Sequence, residues 1–349
     1  MENRNNDRTL AMEKFASAAM AKAFITMEAI FVKNPDSPIA RDKSPSRKYA
    51  ELVFLLHDIL QNRLAGDPPG DVRKLPFTRL FVLAEMILYS VVKTPELLLE
   101  VAKPAYAGDT LICHSLNVAF LSCKVGLQNA LSLRECTELG VAAMLHDIGM
   151  TKIDASCYEH DRELSKEEQK TIEAHPRAGY AFFENLRNDF PWLLRVILEE
   201  HKRENDRGYG AALDGELHTF SRIVGMCDSF EALTHERPFR KPFHPSDAMK
   251  AIIADKEVLY SKAILRAAIE SIGLYPVGSL VKLNNNRVGQ VVETVPGSPL
   301  RPVVTLVNEN GEERAPARID LSRDSTVYVS SIVYTDDYAQ PQKGTASGG

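Results

Sequence analysis

The stretch LGVAAMLHDIGMTKID, residues 139–154, constrains the fold more than any other. It ends an apolar helical run on the adjacent pair His146 and Asp147, which together offer one nitrogen and up to two oxygens. Imidazole suits Zn, Fe or Mn, and a carboxylate has oxygens enough to bridge two such ions. The pair belongs to a series: His114, His146-Asp147, His175, His201 and Asp228 recur at intervals of roughly one helical hairpin each. Side chains so spaced can share a metal only if separate helices bring them together, so the series predicts a helical domain around a metal cluster.

Taken singly, a histidine on an apolar helix face is usually a hydrogen-bonded core residue. Asp228, flanked by Met226, Cys227 and Phe230, is harder to assign that way, because a buried carboxylate needs a cation or several donors. The joint order of histidines and aspartates makes the cluster the stronger reading.

Read in order, residues 1–100 form a helical N-terminal module that serves input or dimerisation. Tyr49, Leu52, Val53, Leu56, Ile59 and Leu60 share one helical face, and Phe77, Leu80, Phe81, Ala84, Leu88 and Val91 share another. Its one histidine, His57, has no partner nearby in sequence and reads as core or surface. Residues 101–275 hold the ligand-bearing helices. Ser132-x-x-Glu135 and Ser165-x-x-Glu168 are capping boxes. Gly149 is placed to end the second helix, Pro176 to break the helix that reaches His175, and Pro191 to start the next. Residues 276–335 change texture, with short β-branched runs between NNN, PG and NG turns, and predict a small antiparallel barrel-like module of roughly five strands. The tail, residues 336–349, reads as disordered. The fold class is thus mainly α, an all-helical domain with a helical module before it and a β module behind.

A net charge of −5 disfavours DNA or RNA as a partner of the whole chain but leaves room for a local basic pocket. The five cysteines are scattered without a CxxC pair, which fits a reduced, cytoplasmic chain. The N-terminus MENRNNDRTLAMEK lacks the apolar core of a signal peptide. The apolar run LFVLAEMILYSVV is short for a bilayer and carries Glu85, so no membrane is expected.

Between about 105 and 275 the chain resembles the HD-GYP branch of the HD phosphohydrolase superfamily. The resemblance rests on HSLNVA from His114, LHDIG at 145–149, AHPRAGY at 174–180, EHKRENDRGYG at 200–210 and SRIVGMCDSFEALTHERPFR at 221–240. It implies a bacterial, metal-dependent phosphodiesterase that hydrolyses cyclic-di-GMP, or a related cyclic dinucleotide, to the linear dinucleotide or GMP by a hydroxide activated between two metals. It implies two divalent ions, Fe or Mn first and Zn or Mg as alternatives. The ligands it implies are His114, His146, Asp147, His175, His201 and Asp228, with Asp147 bridging and catalytic. Arg203, Arg207, Arg237, Arg240 and Tyr209 are candidates for holding substrate; the fork of an arginine suits phosphate oxygens. Arg237 and Arg240 have the alternative of pinning their loop, and Arg203 and Arg207 that of a solvated charged loop. His160, His218, His235 and His244 read as surface residues.

Four positions depart from the family pattern. Met150 stands where a lysine follows HDIG, which makes Lys152 the candidate catalytic cation. Glu200 stands in place of the first of two histidines and becomes a further candidate ligand. Gly210 replaces the proline of GYP and is expected to loosen its loop. Thr110 replaces a glutamate that supports a third metal, so two ions are expected. These departures motivate a second reading, an impaired cyclic-dinucleotide-binding or signalling adaptor. Partners through the N-terminal helices or the β module, a second copy included, belong to either reading.

Overall fold

The computed structural model describes residues 44–64, 75–94, 96–105, 109–205, 208–213, 215–238, 240–254, 259–307 and 317–335. The expected structure before residue 44, Arg207 and the tail 336–349 lie outside the described residues. The helices are α1 Pro45–Leu64, α2 Phe77–Lys93, α3 Leu97–Val101, α4 Thr110–Gln128, α5 Leu133–Leu145, α6 Lys166–Ile172, α7 His175–Phe183, α8 Pro191–Glu199, α9 Thr219–Thr234, α10 Pro245–Ala254 and α11 Lys262–Ser271.

The predicted face of α1 is the buried one, whereas on α2 the buried face is turned: Phe77, Phe81 and Val91 are only partly buried, and Leu83 and Ile87, outside the predicted set, are buried fully. Tyr49, Leu52, Leu56, Ile59 and Leu60 are buried on α1, and Leu80, Leu83, Ala84, Ile87 and Leu88 on α2. Helix α4 is buried along nearly all of its length and around its circumference, Ile112, Leu116, Phe120, Cys123 and Val125 included, and its polar His114, Ser115, Asn117 and Ser122 are buried with them. A helix without an exposed face belongs at the centre of a core. Accordingly α1, α2, α5, α9 and α11 all pack on α4. Among the described residues it is also the one helix long and apolar enough to cross a membrane, though most of that window is buried inside the protein. The apolar run LFVLAEMILYSVV, too short to cross a bilayer, lies within α2.

Both capping boxes form, at Ser132–Glu135 and Ser165–Glu168, and fix where α5 and α6 begin. Two punctuation residues act differently from expectation. Pro176 does not break a helix; α6 ends at Ile172, and α7 opens at His175 with Pro176 in its first turn, where a missing N–H costs nothing. Gly149 does not cap α5 with a left-handed turn. It lies in the 3-10 turn Ile148–Lys152, where an added Cβ would sit 1.9 Å from the His175 carbonyl oxygen. Its missing side chain is what lets the His146-Asp147 turn and the start of α7 touch.

Behind α11, five strands form one antiparallel sheet: β1 Leu280–Leu283, β2 Val288–Glu293, β3 Val303–Leu306, β4 Arg318–Asp320 and β5 Val329–Ile332, in the order β4-β3-β2-β1-β5. Alternate residues Val281, Leu283, Val291, Val304 and Leu306 bury a small core of their own. The sheet is tied to the helices by Val277, which enters the helical core, and by Lys124 Nζ, which donates to Thr294 Oγ1 at 2.9 Å.

Candidate metal centre

The ligand series converges. His114 comes from the first third of α4, His146 and Asp147 from the end of α5, and His175 from the start of α7. Glu200 and His201 follow α8, and Asp228 lies mid-way along α9. Asp147, His175, Glu200 and His201 present one ligand atom each within 4.8 Å of one another, and so do His114, His146 and Asp228. Asp147 faces both sets. Its Oδ1 lies 3.0 Å from His175 Nε2 and 4.0 Å from His201 Nε2, while its Oδ2 lies 3.6 Å from both His114 Nε2 and His146 Nε2. Asp228 Oδ1 is 3.3 Å from His114 Nε2. A glycine again permits the approach, since a Cβ on Gly225 would sit 2.1 Å from the Glu200 carbonyl oxygen.

Whether these residues suit a divalent ion is tested by the hydrogen bonds they lack. Glu200 is fully buried, and neither carboxylate oxygen has a hydrogen-bond partner. Around it stand His146 Nε2 at 3.8 Å, His175 Nε2 at 3.9 Å and His201 Nε2 at 3.7 Å. His146 Nε2 and Asp147 Oδ1 are likewise buried without an aligned hydrogen bond. His146 and His175 each donate Nδ1–H to a backbone carbonyl, Ala143 O at 2.8 Å and Ile172 O at 2.7 Å, which turns Nε2 toward the centre. His175 and His201 hold their Nε2 atoms 3.1 Å apart, a distance that requires a proton or a cation between them. Orphaned carboxylate oxygens facing imidazole nitrogens are the donor set of a metal centre, and mixed N and O donors suit Mn, Fe or Zn.

The electrostatics agree. Burial alone would lower the His175 pKa, but the Asp147 and Glu200 carboxylates outweigh it and push it up to about 10. At His114, burial is likewise outweighed by Glu231 and Asp228, and the value rises to about 10. Asp147 would be raised by burial, yet His146 and His175 hold it well below the usual carboxylate range. The carboxylates thus demand positive charge, which protons or divalent cations can meet.

The candidate substrate residues divide. The Arg203 guanidinium donates to the carbonyls of Glu200 and Lys202 and to Ser229 Oγ, and sits over the Tyr260 ring. Arg240 donates to the carbonyls of Ala232, Leu233 and Lys241. Both guanidiniums are thereby engaged with the protein's own backbone. Arg237 lies near Glu231, with Nη2 3.8 Å from Oε2. Lys152 is exposed, its ammonium 5.1 Å from the Phe182 ring centre. Tyr209 stacks on His201, rings 4.2 Å apart and 23° from parallel, which places it against the ligand cluster. Gly210 has φ of +89°, and a Cβ there would meet the Leu198 carbonyl oxygen at 2.4 Å, so its backbone shape is closed to proline.

Several residues of the site escaped sequence reading. Glu231, one turn beyond Asp228 on α9, is fully buried and accepts from His114 Nδ1 at 2.6 Å. The i, i+3 spacing from Asp228 was its available signal. Glu199 is also fully buried, but unlike Glu200 it is well partnered, by Arg195, Ser221 Oγ and the Leu213 and His218 amides. It thereby fastens the loop after Tyr209. His235 and His244, expected at the surface, are buried, because the segment after α9 folds back under the helices.

Comparison with known proteins agrees with this geometry. Residues 94–264 match the model of the HD domain, and residues 280–341 that of the KOW domain associated with HD domains. The chain is an HD domain protein. It is 28% identical over 225 residues to cyclic di-GMP phosphodiesterase PA4108 of Pseudomonas aeruginosa, covering 64% of this chain and 54% of that one. It is 27% identical over 213 residues to cyclic di-GMP phosphodiesterase PdeB of Borreliella burgdorferi, covering 60% and 55%. The chain thus spans about half the length of these curated relatives. A solved structure, the HDG"Y"P protein Bd1817 of Bdellovibrio bacteriovorus, shares the fold with a TM-score of 0.52 at 12% identity, over 75% of this chain and 79% of that one. The HD domain of this chain, with GYG at residues 208–210, is thus similar to those of proteins named as cyclic di-GMP phosphodiesterases.

Proposed function

We propose that this chain is a metal-dependent phosphodiesterase acting on cyclic-di-GMP or a related cyclic dinucleotide, yielding the linear dinucleotide or GMP. The observation that carries the reading is the Glu200 carboxylate, fully buried, without hydrogen-bond partners and ringed by three imidazole nitrogens. A buried carboxylate left without a counter-charge costs several kcal/mol, and a cation shared with the three facing imidazoles would offset that cost. Relatives named for the hydrolysis of cyclic di-GMP, and one from Vibrio cholerae named for 3'3'-cGAMP, support a cyclic dinucleotide as substrate class.

In this reading Asp147, His175, Glu200 and His201 would hold one divalent ion and His114, His146 and Asp228 a second, with Asp147 facing both sets. Such a pair supplies Lewis acidity, making water available as a nucleophile near neutral pH and offsetting charge on phosphoryl oxygens. The chain's own residues supply the rest. Asp147 aligns the two sets through its two oxygens. Tyr209 covers His201 and limits water at that edge, and Arg237, which lies beside Glu231 close to the cluster, is a candidate for contacting a phosphate oxygen. The Fe- or Mn-loaded protein, kept reduced, should convert cyclic-di-GMP to a linear product on chromatography, and Asp147→Ala should abolish the conversion. Failure of the metal-replete protein to turn over any of several cyclic dinucleotides would remove the enzyme reading. The adaptor reading is favoured by one observation, the engagement of Arg203 and Arg240 with backbone carbonyls. Calorimetry showing dinucleotide binding without hydrolysis would support it.

A further inference from the structure

His114 differs from His146 and His175 in what stands behind it. Those two are backed by backbone carbonyls, whereas His114 gives its Nδ1–H to the buried Glu231 carboxylate at 2.6 Å. A carboxylate behind an imidazole raises the basicity of the opposite nitrogen and fixes the ring's direction. Here the opposite nitrogen, Nε2, faces Asp228 and Asp147. The other Glu231 oxygen accepts from Asn117 Nδ2 at 3.0 Å, and the same amide nitrogen lies 3.2 Å from His235 Nε2. Asn117 Oδ1 in turn accepts from the Tyr49 hydroxyl at 2.7 Å. Tyr49 belongs to α1, 68 positions earlier in the chain.

All four members are buried: Tyr49 is 5% exposed, Asn117 1%, Glu231 0% and His114 3%. Their polarity is consistent from end to end. The amide oxygen must face the hydroxyl donor, because the amide nitrogen is claimed by the carboxylate and by His235. Were the Tyr49 hydroxyl withdrawn, the amide oxygen would lose this donor, and the Asn117 side chain would be positioned in this set by its nitrogen alone. Water cannot readily take over at such depth, so the contacts are held or lost together.

We propose that Tyr49, Asn117 and Glu231 form a relay through which the N-terminal helix α1 sets the orientation and donor strength of His114, with Tyr49 a positioning residue for the metal centre. This rests on the metal-centre reading above. It also gives the N-terminal module a physical route to the site: a shift of α1 relative to α4 changes how well one of two ions is held.

The test is the affinity for Mn2+ at each of two sites, measured by chelator competition on the full chain, with the melting temperature of the metal-free protein as the folding control. Glu231→Gln is expected to weaken one site by roughly 10- to 100-fold. Tyr49→Phe should weaken the same site by roughly 3- to 10-fold, as for one lost hydrogen bond, and leave the other unchanged. In an Asn117→Ala background, Tyr49→Phe should have no further effect, since the relay is already cut. Asn117→Ala by itself should weaken the same site, so the proposal stays testable even if Tyr49→Phe folds poorly. Wild-type affinity at both sites in Tyr49→Phe and Asn117→Ala, or equal weakening of both sites, would overturn the relay while leaving the metal centre standing. A wild-type protein that takes up no Mn2+ would overturn the metal centre itself, and the relay with it.

Discussion

Replacing Glu200 with glutamine tests the centre with little change of shape. The substitution keeps the volume and removes one negative charge, so a set of four candidate ligands (Asp147, His175, Glu200, His201) falls to three, while His114, His146 and Asp228 are untouched. If the lost ligand weakens its ion about a hundredfold, metal-linked stabilisation drops by about 3 kcal/mol, since each tenfold in affinity is about 1.4 kcal/mol. For a domain of this size that is roughly 6–12 °C in melting temperature. The assay is a thermal melt with and without saturating Mn2+, together with metal analysis after dialysis. The expected result is a smaller gain from metal, little loss in chelator, and a stoichiometry falling from two toward one. The reasoning is refuted if Glu200→Gln retains two ions with the wild-type gain, or if it loses stability equally in chelator, which would make Glu200 a structural residue.

Gly210→Pro restores the family signature on paper yet should destabilise the fold by about 2 kcal/mol or more, read as a lowered melting temperature, because φ of +89° is closed to proline; a variant as stable as wild type would show that the loop backbone is otherwise. Arg240→Ala removes a guanidinium that holds the Ala232, Leu233 and Lys241 carbonyls, and should cost about 1–3 kcal/mol in a denaturant melt without raising KM; a raised KM at unchanged stability would assign Arg240 to substrate instead. Burial pushes Lys124 down from 10.5 to about 8. The unfolded chain therefore binds the extra proton between those values, so this lysine destabilises the fold below about pH 8 and ceases to do so as pH rises toward 10.5. Lys124→Met should accordingly stabilise the protein by between about 1 and 3 kcal/mol at pH 7, after allowance for screening at a partly exposed group, and should flatten the rise in stability above pH 8; an unchanged pH profile would count against it.

Much of this protein is written locally. The apolar face of α1, the two capping boxes and the alternation in β1 to β3 follow from spacing, because helix and strand periodicities decide which residues can share a face. His114 and Asp228 were legible as candidate ligands for the same reason, each riding on a helix among apolar neighbours. What spacing could not reveal is where one element touches another. Gly149 reads in sequence as a helix stop, and it took the packed structure to show it and Gly225 as points where backbones meet. Glu199 and Glu200 are identical and adjacent in sequence; only the tertiary fold gives one four donors and leaves the other facing three imidazoles. The same holds for Tyr49, Asn117 and Glu231, which lie far apart in the chain and are joined by hydrogen bonds that no local pattern encodes. Residue types set which groups can bind a cation, but the burial that removes every other partner is a property of the assembled core.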